Sequence, residues 1–362
     1  MTPRPEFWRD EARLTKLVRK SAWTVLGAGQ KRQSRQQTIY SRIGETRTGL
    51  RAEEMVRKVS GSVAIEPSWG YIIAGGSRLV EESTGPNWTS GEKAPWRFAM
   101  PSIREARAAA RAGSGKRYST VVSLRHWWEW NYFHFWIDVL GKLSLLSSTG
   151  IDLSRSTIVV GRYAREAPFA EILGRGGLAK LDWLVADRYI AADEVIYCKT
   201  LRPYRDRLDY VMDLLEVPMH PVGQRSLFIS RERAASRRIA NYAAVRSVLV
   251  DQGFEEVHPE ELSFDEQVAM FSQASRVVAV TGAGLVNVAF RRSSALDVLE
   301  LAGSSFVSDD FGALCAEYGY GWQRLVGRNL PGRAVQHSDI AIDVDELRRA
   351  LSEGAPGSRE GR

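Results

Sequence analysis

The stretch RVVAVTGAGLVNVAF, residues 276–290, decides the fold. Arg276 to Val280 is a short apolar, β-branched run, the length of a buried strand and too short for a helix. Thr281-Gly282-Ala283-Gly284 breaks it as a loop, and Leu285 to Phe290 resumes as a short helix. Free N–H groups and the helix dipole make such a turn an anion site. Its glycines let a diphosphate approach the backbone closely. Ala295 to Leu301 reads as the next strand, where Glu300 offers a carboxylate suited to ribose hydroxyls. Taken alone, the glycine pair fits a ligand-free tight turn about as well; the strand before it and the carboxylate after it favour the ligand.

The flanking sequence repeats the alternation. Leu227 to Ser230 is a strand, and Asn241 caps a helix whose inner face is Val245, Val248 and Leu249 and whose end is Gly253. Phe254 to Val257 is a short strand. Ser263 and Glu266 form a capping box for a helix through Ala274. Strands and helices in turn predict a parallel sheet covered by helices. Ser230, Arg231, Arg233, Arg237 and Arg238 then follow a strand at the edge that carries the glycine loop. Guanidinium forks bind phosphate oxygens bidentately. Arg231, next to the strand, reads as a ligand, whereas Arg233 and Arg237 read as a solvated loop.

The first half is α/β too. Thr120 to Leu124 is a buried strand, Asn131 to Ser147 a helix with Phe135, Val139, Leu143 and Leu146 on one face, and Thr157–Val160 and Glu194–Tyr197 are later strands. Residues 59–82 read as strands and turns, 84–95 as loop, and 104–117 as a short helix or linker. Residues 204–216 look helical and lead to Pro218 and Pro221, a domain link. His134 and Asp138 are four apart and share a helix face, with Trp127, Trp130 and Asn131 just before them. Flat aromatic faces beside polar groups suit sugar rings, and a carboxylate with a neighbouring His can remove a hydroxyl proton. Asp138 is favoured as base and His134 as its orienter, with the reverse order open. The competing reading is an internal His–Asp bond that pins the helix.

Composition narrows the class. The chain has 362 residues, 44% of them hydrophobic and 26% charged, enough for two ordinary globular domains. No apolar run spans a bilayer and no signal peptide is evident. Two isolated cysteines, Cys198 and Cys315, make neither a disulfide framework nor a metal cluster. A cytoplasmic location fits. Residues 1–51 hold twelve Lys/Arg against four Asp/Glu, more than the whole net charge of +7. Arg9, Arg13, Lys16, Arg19 and Lys20 are interleaved with Phe7, Trp8, Leu14, Leu17, Val18 and Trp23, which suits an anionic membrane surface; a helix packed on the main body explains the pattern equally well. No nucleic-acid partner is expected. The Asp-x-Asp triplet Asp343-Val344-Asp345 reads as a helix cap, so no metal is expected.

These segments together resemble glycosyltransferase family 61, which includes bacterial capsular polysaccharide biosynthesis proteins. The likeness runs through NYFHFWIDVLGKL at 131–143, LFISR at 227–231, RRIAN at 237–241, GFEEVHPEELSFDEQVAMFSQA at 253–274, VTGAGLVNVAF at 280–290 and DVLEL at 297–301. It implies an α/β, GT-B-like pair of Rossmann-like domains facing a cleft, here with a basic helical and β extension at the N-terminus. The expected layout is a basic segment over 1–58, a β-rich extension and linker over 59–117, an acceptor domain over 118–222, a donor domain over 223–352 and a disordered tail over 353–362. The resemblance implies an inverting, metal-independent transfer from a nucleotide sugar, UDP-linked in the first instance, to a glycan or lipid-linked glycan in surface polysaccharide synthesis. No cofactor is implied, since the nucleotide sugar is substrate. Ser230, Arg231, Arg238 and the Thr281–Asn287 turn, with Gly282, Ala283, Gly284, Leu285 and Asn287, would bind the donor, together with Glu300. His134 and Asp138 would face the acceptor, with Trp127, Trp130 and Asn131 binding it. The chain departs from the family pattern at Thr281, where His is usual, and at Tyr242, where Glu is usual. Two other readings stand beside it: a sugar- or nucleotide-binding protein that has lost turnover, and a nicotinamide-dependent oxidoreductase, against which Asn287 replaces the third glycine of a dinucleotide fingerprint.

Overall fold

The computed structural model describes residues 56–75, 78–80, 83, 116–198, 205–221, 223–292, 296–304, 308–331 and 338–353, with the backbone of two short strands, β1 (Val25–Leu26) and β2 (Gln36–Thr38). The expected basic N-terminal segment, the loop at 84–95, the segment 104–115 and the tail from 354 lie outside the described residues. The chain divides into two compact units, Met1–Leu215 and Glu216–Arg362.

The first unit is built on a nine-stranded mixed sheet. Its parallel part is β6 (Arg117–Ser123), β7 (Thr157–Gly161), β8 (Asp182–Ala186) and β9 (Ile190–Cys198), in the order β9-β6-β7-β8. β3 (Val56–Ile65) pairs antiparallel with β9, and β4 (Ile72–Ala74) and β5 (Arg78–Val80) continue outward, so the early strands prolong the same sheet. Val59, Val63, Val121, Val159 and Val195 close the core over these strands. Chain direction along the sheet reverses between β6 and β9, and in open α/β sheets such a switch point, at the carboxyl ends of the strands, is where ligands bind.

The helix expected over 131–147 is present but not uniform. It begins as α1 (Tyr132–His134), continues as a π-helical turn over Phe135–Leu140, and resumes as α2 (Lys142–Ser148). Gly141 N–H reaches back five residues to the Trp136 carbonyl at 2.9 Å. A side chain at 141 would collide with the Ile137 carbonyl, so this join requires glycine. Phe135, Val139, Leu143 and Leu146 are all buried, as their spacing predicts. The unit also contains α3 (Phe169–Leu173) and ends in α4 (Arg205–Leu214).

The second unit is a six-stranded sheet in the order β11-β10-β12-β13-β14-β15. β10 (Arg225–Ile229), β11 (Glu255–Val257), β12 (Ala274–Val280), β13 (Asp297–Gly303) and β14 (Gly321–Asn329) are parallel, and only β15 (Ile340–Ala341) runs against its neighbour. Numbered from β10 the parallel order is 2-1-3-4-5, a doubly wound arrangement whose switch point lies between β10 and β12. Val277 to Val280 are buried, as a strand covered on both faces requires.

The helices here are α5 (Tyr242–Asp251), α6 (Phe264–Ser272), α7 (Asp310–Tyr318) and α8 (Val344–Glu353). The Ser263–Glu266 capping box forms as expected. Asp343 caps α8, accepting from the N–H groups of Asp345 and Glu346 at 2.9 and 3.0 Å. The expected Asn241 cap is corrected. Asn241 stands at the start of α5, but its amide donates to the Ile342 carbonyl at 2.7 Å and accepts from the Ile342 N–H at 3.0 Å. The two-way bond satisfies both ends of the amide, where a cap would satisfy one.

Candidate functional site

At the second unit's switch point, the chain leaves β10 through Ser230 and Arg231 and leaves β12 through Thr281 and Gly282. The guanidinium of Arg231 packs on Gly282, and any Cβ there would run into its Nη1. Arg231 donates from Nη2 to the Ser236 carbonyl at 3.3 Å, while its Nε is buried without a hydrogen-bond partner. It forms no ion pair among the described residues. Burial, with Arg237 beside it, pulls its pKa down to about 10, and Glu260 only partly offsets this. Burial lowers Arg237 as well. The desolvated Arg231 guanidinium, at the carboxyl end of a parallel sheet with a second arginine beside it, is short of negative charge.

Beyond Gly282 the turn enters a 3-10 helix, Ala283–Arg291, whose first N–H groups have no acceptor within the helix. Ala283 and Gly284 are partly open, and a Cβ on Gly284 would meet nothing within 4 Å. The other expected donor residues lie further in. Leu285 is buried in the core, and Ser230 is buried with its hydroxyl accepting from the Glu232 N–H at 3.3 Å.

Three expectations are corrected by burial or pairing. Glu300 is fully buried. Its carboxylate accepts from the Thr281 hydroxyl at 2.7 Å and from Arg324 Nε at 3.1 Å, so it offers no oxygen to a ribose. Asn287 is equally buried and donates to Gln267 Oε1 at 2.8 Å, a core contact rather than a donor contact. Arg238 is exposed, and its backbone N–H and guanidinium both bond Asp339, at 2.9 and 3.1 Å. Arg237, which reads from the sequence as a solvated loop residue, is the arginine that neighbours Arg231. Its inward turn, at φ 58°, is invisible in composition.

In the first unit, the residues after β6 form the second cluster. His134 Nδ1 and Asp138 Oδ2 are 2.7 Å apart, so the expected pair is made. Sequence reasoning missed His126, whose Nε2 lies 3.9 Å from the same oxygen and whose ring stacks on His134 at 5.4 Å. Their side chains are 11% (His126), 23% (His134) and 18% (Asp138) exposed, buried enough to be built and open enough to be reached. Burial is the main cause that lowers the His126 pKa to about 4; Asp138 opposes it, and Lys142 and His134 add to it.

The three ligand-type atoms lie within 4.8 Å of one another, a spacing a metal ion could use. Hydrogen bonds within the trio also account for this spacing. The Trp128 N–H donates to His126 Nδ1 at 3.3 Å, which leaves the proton of the neutral ring on Nε2, facing Asp138. The short His134–Asp138 contact likewise holds a shared proton. On His134 this leaves the lone pair on Nε2.

The turn itself is clamped by buried charge. Arg125 donates to both oxygens of Glu129 at 2.7–3.0 Å and to the Glu66 and Pro67 carbonyls at 3.1 and 2.9 Å. Glu129 also accepts from the His126 N–H at 3.3 Å and lies over Gly161, where a Cβ would collide with its carboxylate. Arg125 lies over Gly70 in the same way. Lys142, buried and with its pKa lowered by that burial, donates to the Leu124 and Arg125 carbonyls at 3.2 and 2.8 Å.

The aromatic residues divide. Trp127 packs against Trp69 in a tilted arrangement with ring centroids 4.5 Å apart, and Trp130 is 53% exposed. Trp128 is 38% exposed with its ring 4.8 Å from that of His134. Asn131 caps α1, its side chain accepting from the N–H groups of Phe133 and His134 at 3.0 and 3.4 Å. Cys198 and Cys315 are free and buried. Among the described residues, no helix is long and apolar enough to cross a membrane.

No curated protein matches the chain. Residues 132–296 match the family model described as Glycosyltransferase 61. That span holds His134, Asp138, Arg231 and the Gly282 turn, while His126, Trp128 and Glu300 fall outside it. Over that span the chain is similar to the glycosyltransferase family 61 domain, which supports a glycosyltransferase activity.

Proposed function

We propose that the protein transfers a sugar from a nucleotide sugar, UDP-linked in the first instance, to a hydroxyl of a glycan or lipid-linked glycan, with inversion and without a metal ion. The carrying observation is Arg231: a desolvated guanidinium, seated on Gly282 at a switch point, with Arg237 beside it and no ion pair among the described residues. A diphosphate supplies the missing charge, its oxygens accepting from Arg231 and from the amides of Ala283 and Gly284. Charge-assisted bonds of this kind stabilise a leaving diphosphate where charge develops. The two units divide the work in a GT-B-like manner, the second holding the donor and the first activating the acceptor.

The acceptor oxygen attacks the anomeric carbon as the bond to the diphosphate breaks, and its proton passes to a base in the first unit. The 2.7 Å His134–Asp138 bond favours His134 as that base, through Nε2, with Asp138 fixing the tautomer and balancing the imidazolium. This reverses the order that sequence alone favours. Surface-polysaccharide acceptors and a weak hold of the basic N-terminal segment on an anionic, cytoplasmic membrane face rest on the sequence and the family.

A thermal-shift panel of nucleoside diphosphates on the full chain, followed by release of free sugar from the matching nucleotide sugar, tests the reading. Stabilisation by one or more diphosphates and slow release are expected. No shift with any diphosphate refutes it.

A further inference from the structure

We propose that His126 is a positioning residue of the transfer site: held by its turn as a neutral ring with the proton on Nε2, it directs that N–H at Asp138 and so aims the carboxylate at His134. The inference rests on the reading of His134 and Asp138 as the proton-accepting pair.

The turn from Leu124 to Asn131 is far better fixed than a connection needs to be. Arg125, Glu129 and Lys142 are all buried around it, and buried charges are costly unless every one is paired. Their bonds converge on the backbone at 124–126: Lys142 on the Leu124 and Arg125 carbonyls, Glu129 on the His126 N–H. The side chain that results is His126. Its Nδ1 accepts from the Trp128 N–H, its face lies on His134, and its Nε2 is 3.9 Å from Asp138 Oδ2. Asp138 therefore stands between two imidazole N–H groups, one bonded and one at longer range. Hydrogen bonds of this type are often long in the free enzyme and shorten with substrate in place. The groups that act on His126 electrostatically are Asp138, His134 and Lys142.

Gln and Asn separate this role from mere packing. The amide nitrogen of Gln can stand near Nε2 and donate to Asp138, whereas the shorter Asn reaches only the Nδ1 position. His126→Asn is expected to lower kcat roughly 10-fold, less than the roughly 10²–10⁴-fold loss of the base itself, with the donor KM unchanged. The acid limb of its kcat/KM profile moves to higher pH, because the Asp138 charge is then shared with one imidazole N–H instead of two. His126→Gln restores most of the rate and the profile. Equal loss in both variants, or none in either, overturns the proposal.

A second measurement needs neither folding of a variant nor turnover. The chain has five histidines, so selective ¹⁵N labelling of the wild type resolves their rings. The His126 ring is expected to stay neutral, as the Nε2–H tautomer, from pH 5 to 8 (about 1.5 below to 1.5 above an unperturbed His). A ring that titrates in that range, or carries its proton on Nδ1, overturns it. A neutral Nε2–H ring together with wild-type rates in His134→Ala and Asp138→Asn would instead remove that pair from catalysis, so failure of the functional reading is distinguishable.

Discussion

Arg231 lays its guanidinium on the bare Cα of Gly282, and the two residues follow the two strands that flank the switch point. Neither residue alone makes a phosphate site. Arg231→Ala is expected to weaken UDP binding about 10–150-fold, the equivalent of roughly 1.5–3 kcal/mol for a charge-assisted bond. Gly284→Val places its side chain in open space, so it should fold normally and still obstruct the diphosphate. Gly282→Ala should fold as well, since the clash is with the end of a flexible side chain, and should displace Arg231. Calorimetry on the three variants checks this; wild-type affinity in all of them is the contrary result.

The His134–Asp138 pair should act on turnover and not on the donor. His134→Ala and Asp138→Asn are each expected to bind UDP as the wild type does and to lose roughly 10²–10⁴-fold in kcat. Steady-state kinetics beside calorimetry checks both halves. Thermal melts of the variants identify the alternative in which the bond serves only to pin the π-helical turn.

Turnover should survive chelation. The site short of negative charge in the second unit is served by arginine, and the polar trio of the first unit holds protons between its members. Rates after EDTA dialysis should match those before it. Abolition by EDTA with recovery on adding manganese would contradict the proposed mechanism.

His126 should make the fold sensitive to mild acid. Its pKa in the folded chain is about 4, below the roughly 6.5 of an unfolded histidine. Between those values the unfolded chain binds the proton and the folded chain does not. The stability at neutral pH is therefore lost as pH falls from about 6.5 toward 4, by up to roughly 3 kcal/mol for this group. Urea unfolding at pH 7 and pH 4.5 should show a smaller loss in His126→Gln than in the wild type.

Liposome flotation tests the membrane expectation. The full chain should float with anionic vesicles at low salt, and a chain lacking residues 1–24 should float less. Equal flotation of both, or none of the full chain, counts against a role for the basic segment.

The fold of the second unit was largely legible because each of its signals is local. Buried strands, a capping box and a glycine turn all sit within a few residues of what they determine. Much of the candidate site was not, because it depends on contacts across the sheet. Glu300 reads as a ribose ligand until Thr281 and Arg324 are found on its two oxygens, from 19 and 24 residues away. Arg237 reads as loop until its backbone turns it toward Arg231. Asn241 reads as a cap until Ile342 arrives from 101 residues downstream. His126 had no periodicity to mark it. Its significance comes from Lys142, Glu129 and Trp128, and only the first of these lies on the motif that drew attention to His134.

The clamp beneath His126 rests on two absent methyl groups, those that Gly70 and Gly161 lack. Neither glycine has a reactive atom, and neither would be chosen by a search for chemistry. Yet alanine at 161 would force Glu129 out of its seat, and with it Arg125 and the turn. A saturation scan scored on transfer should therefore find Gly161 as intolerant as His134, and should find its intolerance unrelieved by any choice of donor or acceptor. A map of such positions would outline the proposed acceptor site from behind, through residues that no substrate meets.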